Sequence, residues 1–335
     1  MGGTSTFSRM CAAALTCLAV SCWMGTASAE AIRVRTSPVL LSTESPDDCE
    51  VGKLTFLAGL SLHASARDFG GFSGLHISPD GKSMLAVSDM GHWLQADLVY
   101  DEQGALKGLR NVRLTPMLGT DGKPVSGKSQ GDAEDLVVMN QGIYVSFERR
   151  HRLWRYPQSD DLSASVPVTL PAPADIATVK SNKGLEALVG LPGGTLLLLT
   201  EESLDKEGNI RGWLGAPDLR SFAPLRLRRA PPFAVTGATL LPDNSHILIL
   251  ERRYSIGAGL GIRLRRVGLG DIKGGALLTG ERIAEFRPGQ TYDNFEGIAA
   301  IRGTDGSAVV FLLSDDNFNG FQRTLLMHFR LEEVR

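Results

Sequence analysis

The sequence predicts an all-β protein, a β-propeller of five or six blades, and two observations lead to this prediction. The first is a repeat: five times, an apolar run that begins with an acidic or small polar residue is followed by a turn and a second β-rich run. The second is the near absence of helical periodicity after residue 30. The first anchors of the repeats lie 50 to 61 residues apart, at Ser73, Glu134, Glu186, Thr236 and Glu296. A period of this length, built from paired strands, is typical of propellers.

Each repeat is predicted to form a hairpin, because its two β-rich runs flank residues that favour turns. The clearest turns lie at residues 79–81 (Pro-Asp-Gly), 192–194 (Pro-Gly-Gly), 242–244 (Pro-Asp-Asn) and 304–306 (Thr-Asp-Gly). Further hairpins are predicted at residues 97–114 and 136–156. Residues 53–62 are predicted to form a strand that completes the blade begun by the C-terminal strands. Such a closure would cover two sheet edges that otherwise stay open.

The first 29 residues have the features of a secretory signal peptide. Arg9 is the only charged residue of the segment, and the apolar stretch at residues 10–23 is short for a membrane span. Residues 27–29 (Ala-Ser-Ala) fit the small-x-small cleavage rule. We therefore expect cleavage after Ala29, a periplasmic or secreted protein, and no transmembrane span in the mature chain. Residues 19–22 resemble a lipoprotein cleavage box only weakly, so lipidation of Cys22 is not expected.

The mature chain is predicted to consist of an N-terminal arm at residues 30–52 and a propeller domain at residues 53–335. The formal charge of −2 shows no basic excess, so we expect no nucleic acid partner. Removal of the signal peptide leaves Cys49 as the only cysteine, which excludes an internal disulfide. We expect Cys49 to be a quiet, partly buried thiol.

Propeller geometry gathers equivalent residues of all repeats around one channel, and here many of those residues are acidic. The first set of equivalent acids is Glu134, Glu186 and Glu296. The second set lies one hairpin later and comprises Asp89, Glu148, Glu202, Glu251 and Asp315. Crowded carboxylates repel one another unless a cation or a basic partner neutralises them. Local pairing of each acid with an arginine, or exposure to water at a strand end, is the alternative.

Arginines follow two of these acids directly. Glu148 precedes Arg149 and Arg150, and in the same way Glu251 precedes Arg252 and Arg253. Guanidinium groups can bind phosphate oxygens through two parallel hydrogen bonds. We expect Arg149 and Arg252 to position an anionic substrate, and Arg150 and Arg253 to replace them if the strand register is shifted. A structural rim of ion pairs is the alternative.

Two catalytic motifs occur in the loop at residues 119–132, and we expect neither to function as such. Residues 122–129 match G-x-x-x-x-G-K-[ST], and residues 127–131 match G-x-S-x-G. Both motifs require a strand before them and a helix after them. Here proline and glycine precede the stretch and a β-like run follows, so we interpret it as a solvated connection across one end of the propeller.

The spaced motifs together resemble the bacterial phytase-like domain family, described as "esterase-like activity of phytase", over residues 54–332. They are residues 72–75 with 88–89, 132–136 with 147–149, 185–188, 250–252, and 294–298 with 314–317. The resemblance implies an exported propeller, distantly similar to calcium-dependent propeller phytases, with Ca²⁺ held among carboxylates and phosphate bound by basic residues. It places calcium ligands at Glu134, Glu186, Glu296, Glu148, Glu251, Asp315 and Asp89. Ser73 and Thr236 occupy positions where an acid is expected, which reduces the number of carboxylates available as calcium ligands.

Two functions of different classes follow from these observations. The leading hypothesis is a metal-dependent hydrolase of phosphoesters that binds a small phosphorylated or anionic ligand and uses no nucleotide cofactor. The alternative is a non-catalytic periplasmic propeller that binds a ligand or protein at the same channel mouth. A carboxylester hydrolase that uses Ser129 is a third and weaker hypothesis.

Overall fold

The computed structural model describes residues 1–2, 29–125, 127–257 and 259–332, which form an all-β propeller of five blades. Apart from its first two residues and its last, the predicted signal peptide lies outside the described residues, and so does Cys22. Within the described residues, no helix has both the length and the apolar character needed to cross a membrane.

Twenty-four strands account for most of the described chain. The N-terminal segment contains β1 (Glu30–Ala31), β2 (Val34–Val39), β3 (Glu50–Val51) and β4 (Leu54–Ala64). The next strands are β5 (Phe72–Ile77), β6 (Ser83–Ser88), β7 (His92–Tyr100) and β8 (Leu106–Pro116). They are followed by β9 (Ala133–Met139), β10 (Gly142–Phe147), β11 (Arg152–Tyr156) and β12 (Val168–Leu170).

The C-terminal half continues in the same way. Its first strands are β13 (Leu185–Gly190), β14 (Leu196–Leu204), β15 (Ile210–Gly215) and β16 (Phe222–Leu227). The next are β17 (Ala234–Leu240), β18 (His246–Ser255), β19 (Gly259–Gly268), β20 (Leu277–Leu278) and β21 (Glu281–Glu285). The last are β22 (Phe295–Arg302), β23 (Ala308–Ser314) and β24 (Thr324–Leu331). One short helix, α1 (Lys128–Gly131), precedes β9, and 3₁₀ turns occur at Leu162–Ala164, Ala174–Thr178, Pro192–Gly194 and Leu269–Asp271.

Each blade begins at the channel and continues outward through antiparallel strands, except that β20 pairs with β16 in parallel. The five sheets, from the channel outward, are β5-β6-β7-β8-β1, β9-β10-β11-β12, β13-β14-β15-β16-β20, β17-β18-β19-β21 and β22-β23-β24-β4-β2. The innermost strands β5, β9, β13, β17 and β22 contact one another in that order, and β22 contacts β5. The ring is therefore closed, as the repeat predicted, and the number of blades is five.

The fifth blade joins the two ends of the chain. Strand β4 pairs with β24 from Leu54 opposite Leu331 to Leu62 opposite Thr324, so the predicted closing strand is confirmed. The segment predicted as an arm contributes strands of its own: β2 pairs with β4, and β1 pairs with β8 of the first blade. The closure leaves few backbone groups unpaired at the point where the ring would otherwise open.

The core lies between neighbouring sheets and needs no disulfide. Fully buried side chains from adjacent blades interlock, as Leu75 of the first blade and Phe311 and Leu326 of the fifth do in one cluster. Cys49 is half-buried and unbonded.

Candidate functional site

All five innermost strands carry an irregularity in pairing at the same place. The register breaks between residues 72 and 75, 133 and 135, 185 and 187, 235 and 237, and 295 and 297. A residue passed over in this way bulges out of the ladder, and bulges of this kind re-aim side chains next to active sites. The residues passed over include all five repeat anchors, Ser73, Glu134, Glu186, Thr236 and Glu296.

These bulges open onto a cavity of about 180 Å³ at one mouth of the channel. It is lined by Ser73, Asp89, Lys128, Glu134, Glu148, Arg149, Asn182, Glu186, Glu201, Arg252, Glu296, Asp315 and Asn317. Six of the seven acids predicted as calcium ligands are therefore brought together, and Glu251 is the one that lies elsewhere. The lining contains seven carboxylates and three basic side chains, a formal excess of four negative charges. Thr236 does not reach the cavity, because its hydroxyl donates to the Phe295 carbonyl at 3.1 Å.

The strand register explains why Glu251 is not in the cavity. In each blade one residue pairs with the residue just before the bulge, and these are Ser88, Phe147, Thr200, Glu251 and Ser314. The residue that follows each of these faces the cavity, and the five are Asp89, Glu148, Glu201, Arg252 and Asp315. In the third and fourth blades, the equivalence predicted from the sequence was thus one residue out of register. Glu201, not Glu202, and Arg252, not Glu251, occupy the equivalent positions.

Glu251 belongs to a separate, buried ion cluster in the fourth blade. Its side chain is 0% exposed and accepts hydrogen bonds from Arg263 Nε at 2.6 Å and from Arg265 Nη2 at 2.5 Å. Arg265 Nη1 also donates to the Arg228 and Thr279 carbonyls. The three charged side chains pair with one another, so we do not count Glu251 among the candidate ligands.

Two carboxylates at the centre of the cavity have no partner. The side chains of Glu134 and Glu186 are buried and make no hydrogen bond or ion pair with any residue that the structure describes. Burial, followed by the charges of neighbouring acids, raises the pKa of each carboxyl well above its ordinary value. Buried ionised groups are stable only when they are paired or bound to a metal. This pair is therefore suited to a cation.

The carboxylate oxygens are close enough to share cations. One oxygen from each of Asp132, Glu134 and Glu148 lies within 4.8 Å of the others, and the same holds for Glu148, Glu186 and Glu201. Glu148 belongs to both groups, and it also accepts a hydrogen bond from the Gly184 amide at 2.8 Å. Burial, above all, raises the pKa of Glu148 to about 7. A carboxylate shared in this way can bridge two ions.

The donor set indicates which cations fit. Asp89 and Asp132 each have a buried oxygen, Oδ1, that finds no hydrogen-bond partner in the part of the chain that the structure describes. The lining offers carboxylate and amide oxygens and contains no histidine or cysteine. Hard cations such as Ca²⁺ prefer oxygen ligands of this kind, whereas zinc sites use nitrogen and sulfur. The residues present thus fit Ca²⁺.

Three basic side chains surround the acids. Lys128 Nζ lies 2.6 Å from Asp89 Oδ2, and Arg149 Nε lies 2.8 Å from Asp132 Oδ2. Arg252 Nη1 lies 2.7 Å from Glu296 Oε1 and also donates to the Asn294 side chain. Arg149 has φ of 48°, a left-handed conformation that is unusual for a residue other than glycine and often occurs at functional sites.

The two substitute arginines lie outside the cavity lining. Arg150 is exposed to solvent. The Arg253 guanidinium lies 5.7 Å from the centre of the Phe233 ring. Arg149 and Arg252, the first arginine of each pair, line the cavity, but their positions are not equivalent, because Arg252 takes the place that Glu148 holds in the second blade.

The loop with the two catalytic motifs contributes Lys128 to the cavity lining and Asp132 to one of the two carboxylate groups. Residues 128–131 form α1, a helix of only four residues, and strand β9 begins two residues after it ends. Ser126, inside the first motif, lies outside the described residues. Ser129 is exposed and has no hydrogen bond to a histidine in the described chain. Lys128 enters the cavity, so the loop supplies a cation at the channel mouth.

Comparison with known proteins identifies the family. A family model described as "Phytase-like: Esterase-like activity of phytase" matches residues 67–318. The chain belongs to this phytase-like family. The matched range includes every residue that lines the cavity. The resemblance drawn from the spaced motifs is thereby confirmed. No curated protein matches the chain.

Several solved structures have a similar backbone at low sequence identity. A glucose dehydrogenase is 11% identical with a TM-score of 0.42, over 84% of this chain and 99% of that one. A thermostable family-43 glycoside hydrolase is 8% identical with a TM-score of 0.47, over 81% and 92%. The β-propeller domain of Myceliophteria thermophila Cps50 (Swd1) is 9% identical with a TM-score of 0.35, over 90% and 99%.

The raised pKa values predict how the stability of this phytase-like protein depends on pH. A carboxyl whose pKa is higher in the folded than in the unfolded state contributes to the stability of the fold while it is protonated. This contribution to the free energy of unfolding is lost as the pH rises, because the unfolded chain ionises more readily. Burial raises the pKa of Asp132 to about 6 and that of Glu148 to about 7. Burial lowers the pKa of His76 and His328 to about 4, which destabilises the fold only below pH 6.5. With chelator present, the free energy of unfolding should therefore fall mainly between pH 6.5 and about 7.5, just above the higher of these two pKa values.

Urea unfolding at pH 6.5, 7.5 and 8.5 measures this effect. Saturating Ca²⁺ should flatten the fall, because a bound cation favours the ionised carboxylates. A urea midpoint that stays constant or rises over this range in chelator would contradict the prediction.

Proposed function

We propose that this phytase-like protein is an exported hydrolase of phosphoesters that acts with bound Ca²⁺. Export is inferred from residues 1–29 alone, and N-terminal sequencing of the mature protein, expected to begin at Glu30, checks it. The observation that best supports this activity is that buried carboxylates and basic side chains line the same small cavity. Glu134 and Glu186 are buried carboxylates without partners, and Lys128, Arg149 and Arg252 stand around them.

The acidic residues divide naturally into two ligand groups. Asp132, Glu134 and Glu148 would hold one cation, and Glu148, Glu186 and Glu201 a second. Glu296 and Asp315 are further carboxylates in the cavity lining. A cation bound there neutralises phosphate, activates water and stabilises the charge that develops in the transition state.

The basic residues are placed to bind phosphate oxygens. Arg149 is half-exposed, and among the described residues its side chain contacts Asp132 through Nε alone, so its two terminal nitrogens are available to an anion. Arg252 is held more firmly, by Glu296 and at 3.6 Å by Glu201. We assign phosphate capture to Arg149 and Lys128 and the orientation of the bound phosphate to Arg252.

The ion pairs also favour a second function, a binding propeller without catalysis. Lys128, Arg149 and Arg252 each already contact a carboxylate. Such a network could act as a structural latch that recognises an anionic ligand or an envelope protein without any chemical step. Turnover, and not binding, separates this function from the first.

The test is an assay of the purified protein on p-nitrophenyl phosphate, bis-p-nitrophenyl phosphate, phytate and p-nitrophenyl acetate, with Ca²⁺ and with chelator. We expect phosphate release that requires Ca²⁺ and falls at least 100-fold in Glu186→Gln, because the variant loses one of three carboxylates from its ligand group. Glu207→Gln, a change at an exposed glutamate, is the matched control and should keep wild-type activity.

Each other outcome assigns a different function. No turnover of any phosphoester, together with Ca²⁺-dependent binding of inorganic phosphate, would favour the binding propeller. Release of p-nitrophenol from the acetate that persists in chelator and disappears in Ser129→Ala would favour the carboxylester hydrolase.

A further inference from the structure

The loop at residues 315–323, between β23 and β24, places an aromatic ring at the edge of the cavity. Asn317 lines the cavity, and Phe318, the next residue, is 45% exposed. A β-carbon added to Gly71 would come within 2.6 Å of a Phe318 ring carbon and 2.3 Å of Asp89 Oδ1. The Phe318 ring carbon and Asp89 Oδ1 can therefore be no farther apart than the sum of these two distances. The ring is thus an immediate neighbour of the charged site.

Hydrogen bonds to two aspartates hold this loop in an unusual backbone conformation. Asn317 and Phe318 have φ of 48° and 49°, in the left-handed region that residues with a side chain seldom adopt. Asp315 Oδ1 accepts from the Asn317 amide at 2.6 Å, and Asp316 Oδ1 accepts from the Phe318 amide at 3.1 Å. Asp316 also accepts from the Gly71 amide at 3.1 Å, which ties the loop to the first blade. Two consecutive residues in this region cost free energy, and such strain is typical of positions that serve binding.

The size of the cavity limits what can enter it. Its volume of about 180 Å³ is below the roughly 300 Å³ at which pockets begin to enclose a whole organic ligand. A phosphate group fits, but the group esterified to it must extend outward through the mouth. The Phe318 ring lies beside Asp89 at the edge of the cavity, and residues 319–322 of the same loop carry no charge.

We infer that the site prefers phosphoesters in which an aromatic or other apolar group is attached to the phosphate, and that Phe318 is the residue that determines this preference. The inference rests on the proposed function, because the phosphate must occupy the cavity for the ester group to reach Phe318. A flat apolar face beside a charged cavity favours an aryl group, which stacks on the ring, over a strongly hydrated polyol, which gains nothing from it.

Binding of two phosphonates in the presence of Ca²⁺ tests the inference without any turnover. Phenylphosphonate and methylphosphonate carry the same charged group and differ only in the apolar part. Isothermal titration should show that the wild-type protein binds phenylphosphonate about 3- to 10-fold more tightly, the range expected for one aromatic contact. Phe318→Ala should remove this preference by weakening phenylphosphonate binding and should leave methylphosphonate binding unchanged.

Phe321→Ala is the matched control, because Phe321 lies on the same loop but is 97% exposed. It should keep the wild-type preference. If wild-type protein binds both phosphonates equally, or if the two alanine variants lose the preference alike, the role of Phe318 is overturned while the proposed function stands. If neither phosphonate binds with Ca²⁺, the proposed function and the inference built on it both fail.

Discussion

Replacement of Glu251 by glutamine should lower the free energy of unfolding by about 3–5 kcal/mol, the cost of removing one partner from a buried ion pair. Glu251 is 0% exposed and is the shared carboxylate partner of Arg263 and Arg265. The glutamine fits the space but leaves two guanidinium groups with no counter-charge. Urea unfolding followed by circular dichroism measures the loss, and the melting temperature should fall by on the order of 5–10 °C.

The matched control is Glu281→Gln. Glu281 also contacts two basic residues, Lys53 at 2.6 Å and Arg266 at 2.7 Å, but its side chain is 52% exposed. Exposed pairs contribute about 0–1 kcal/mol, so this change should be nearly silent. If Glu251→Gln does not accumulate as folded protein, a triple variant with methionine at Glu251, Arg263 and Arg265 removes all three charges together and should recover most of the stability. Equal unfolding of Glu251→Gln and Glu281→Gln would show that the buried cluster has no special role.

The contrast between Glu251 and its neighbour Arg252 shows what the sequence could and could not predict. The repeat period, the hairpin turns and the closing strand follow from local patterns of apolar and turn residues, and these were confirmed. Which of two consecutive residues faces the channel depends on the register of pairing, and a shift of one residue reverses the direction of every side chain. The serine or threonine before the acid in Ser88-Asp89, Thr200-Glu201 and Ser314-Asp315 was a signal for the correct register.

Other parts of the site had no signal in a single sequence. Lys128 reaches the cavity from a loop between blades, and loops have no period from which position in space can be predicted. The bulges that turn Glu134 and Glu186 into the channel are defined by hydrogen bonding between strands, not by residue type. The identity of the acids was predictable from the repeat, whereas their lack of partners required the structure.

Because Glu186 has no partner among the described residues, Glu186→Gln should have the opposite effect on stability to Glu251→Gln, although both variants replace a buried glutamate with glutamine. In chelator at pH 8, the variant should be more stable than the wild type, by on the order of 1 kcal/mol. The reason is that the raised pKa of Glu186 makes its ionised form unfavourable in the folded protein. The glutamine removes a buried negative charge that faces Glu134, Glu148 and Glu201.

Addition of Ca²⁺ should reverse the order of the two proteins. A ligand at 100 times its dissociation constant stabilises the folded state by about 2.7 kcal/mol, so the wild type should gain several degrees in melting temperature. Glu186→Gln should gain much less, because one of the three carboxylates in its ligand group is gone. Differential scanning calorimetry in chelator and in Ca²⁺ compares both proteins, with Glu281→Gln as a variant that should follow the wild type in both conditions. A wild-type melting temperature that Ca²⁺ leaves unchanged, or a Glu186→Gln protein less stable than the wild type in chelator, would mean that the buried acids do not form a cation site.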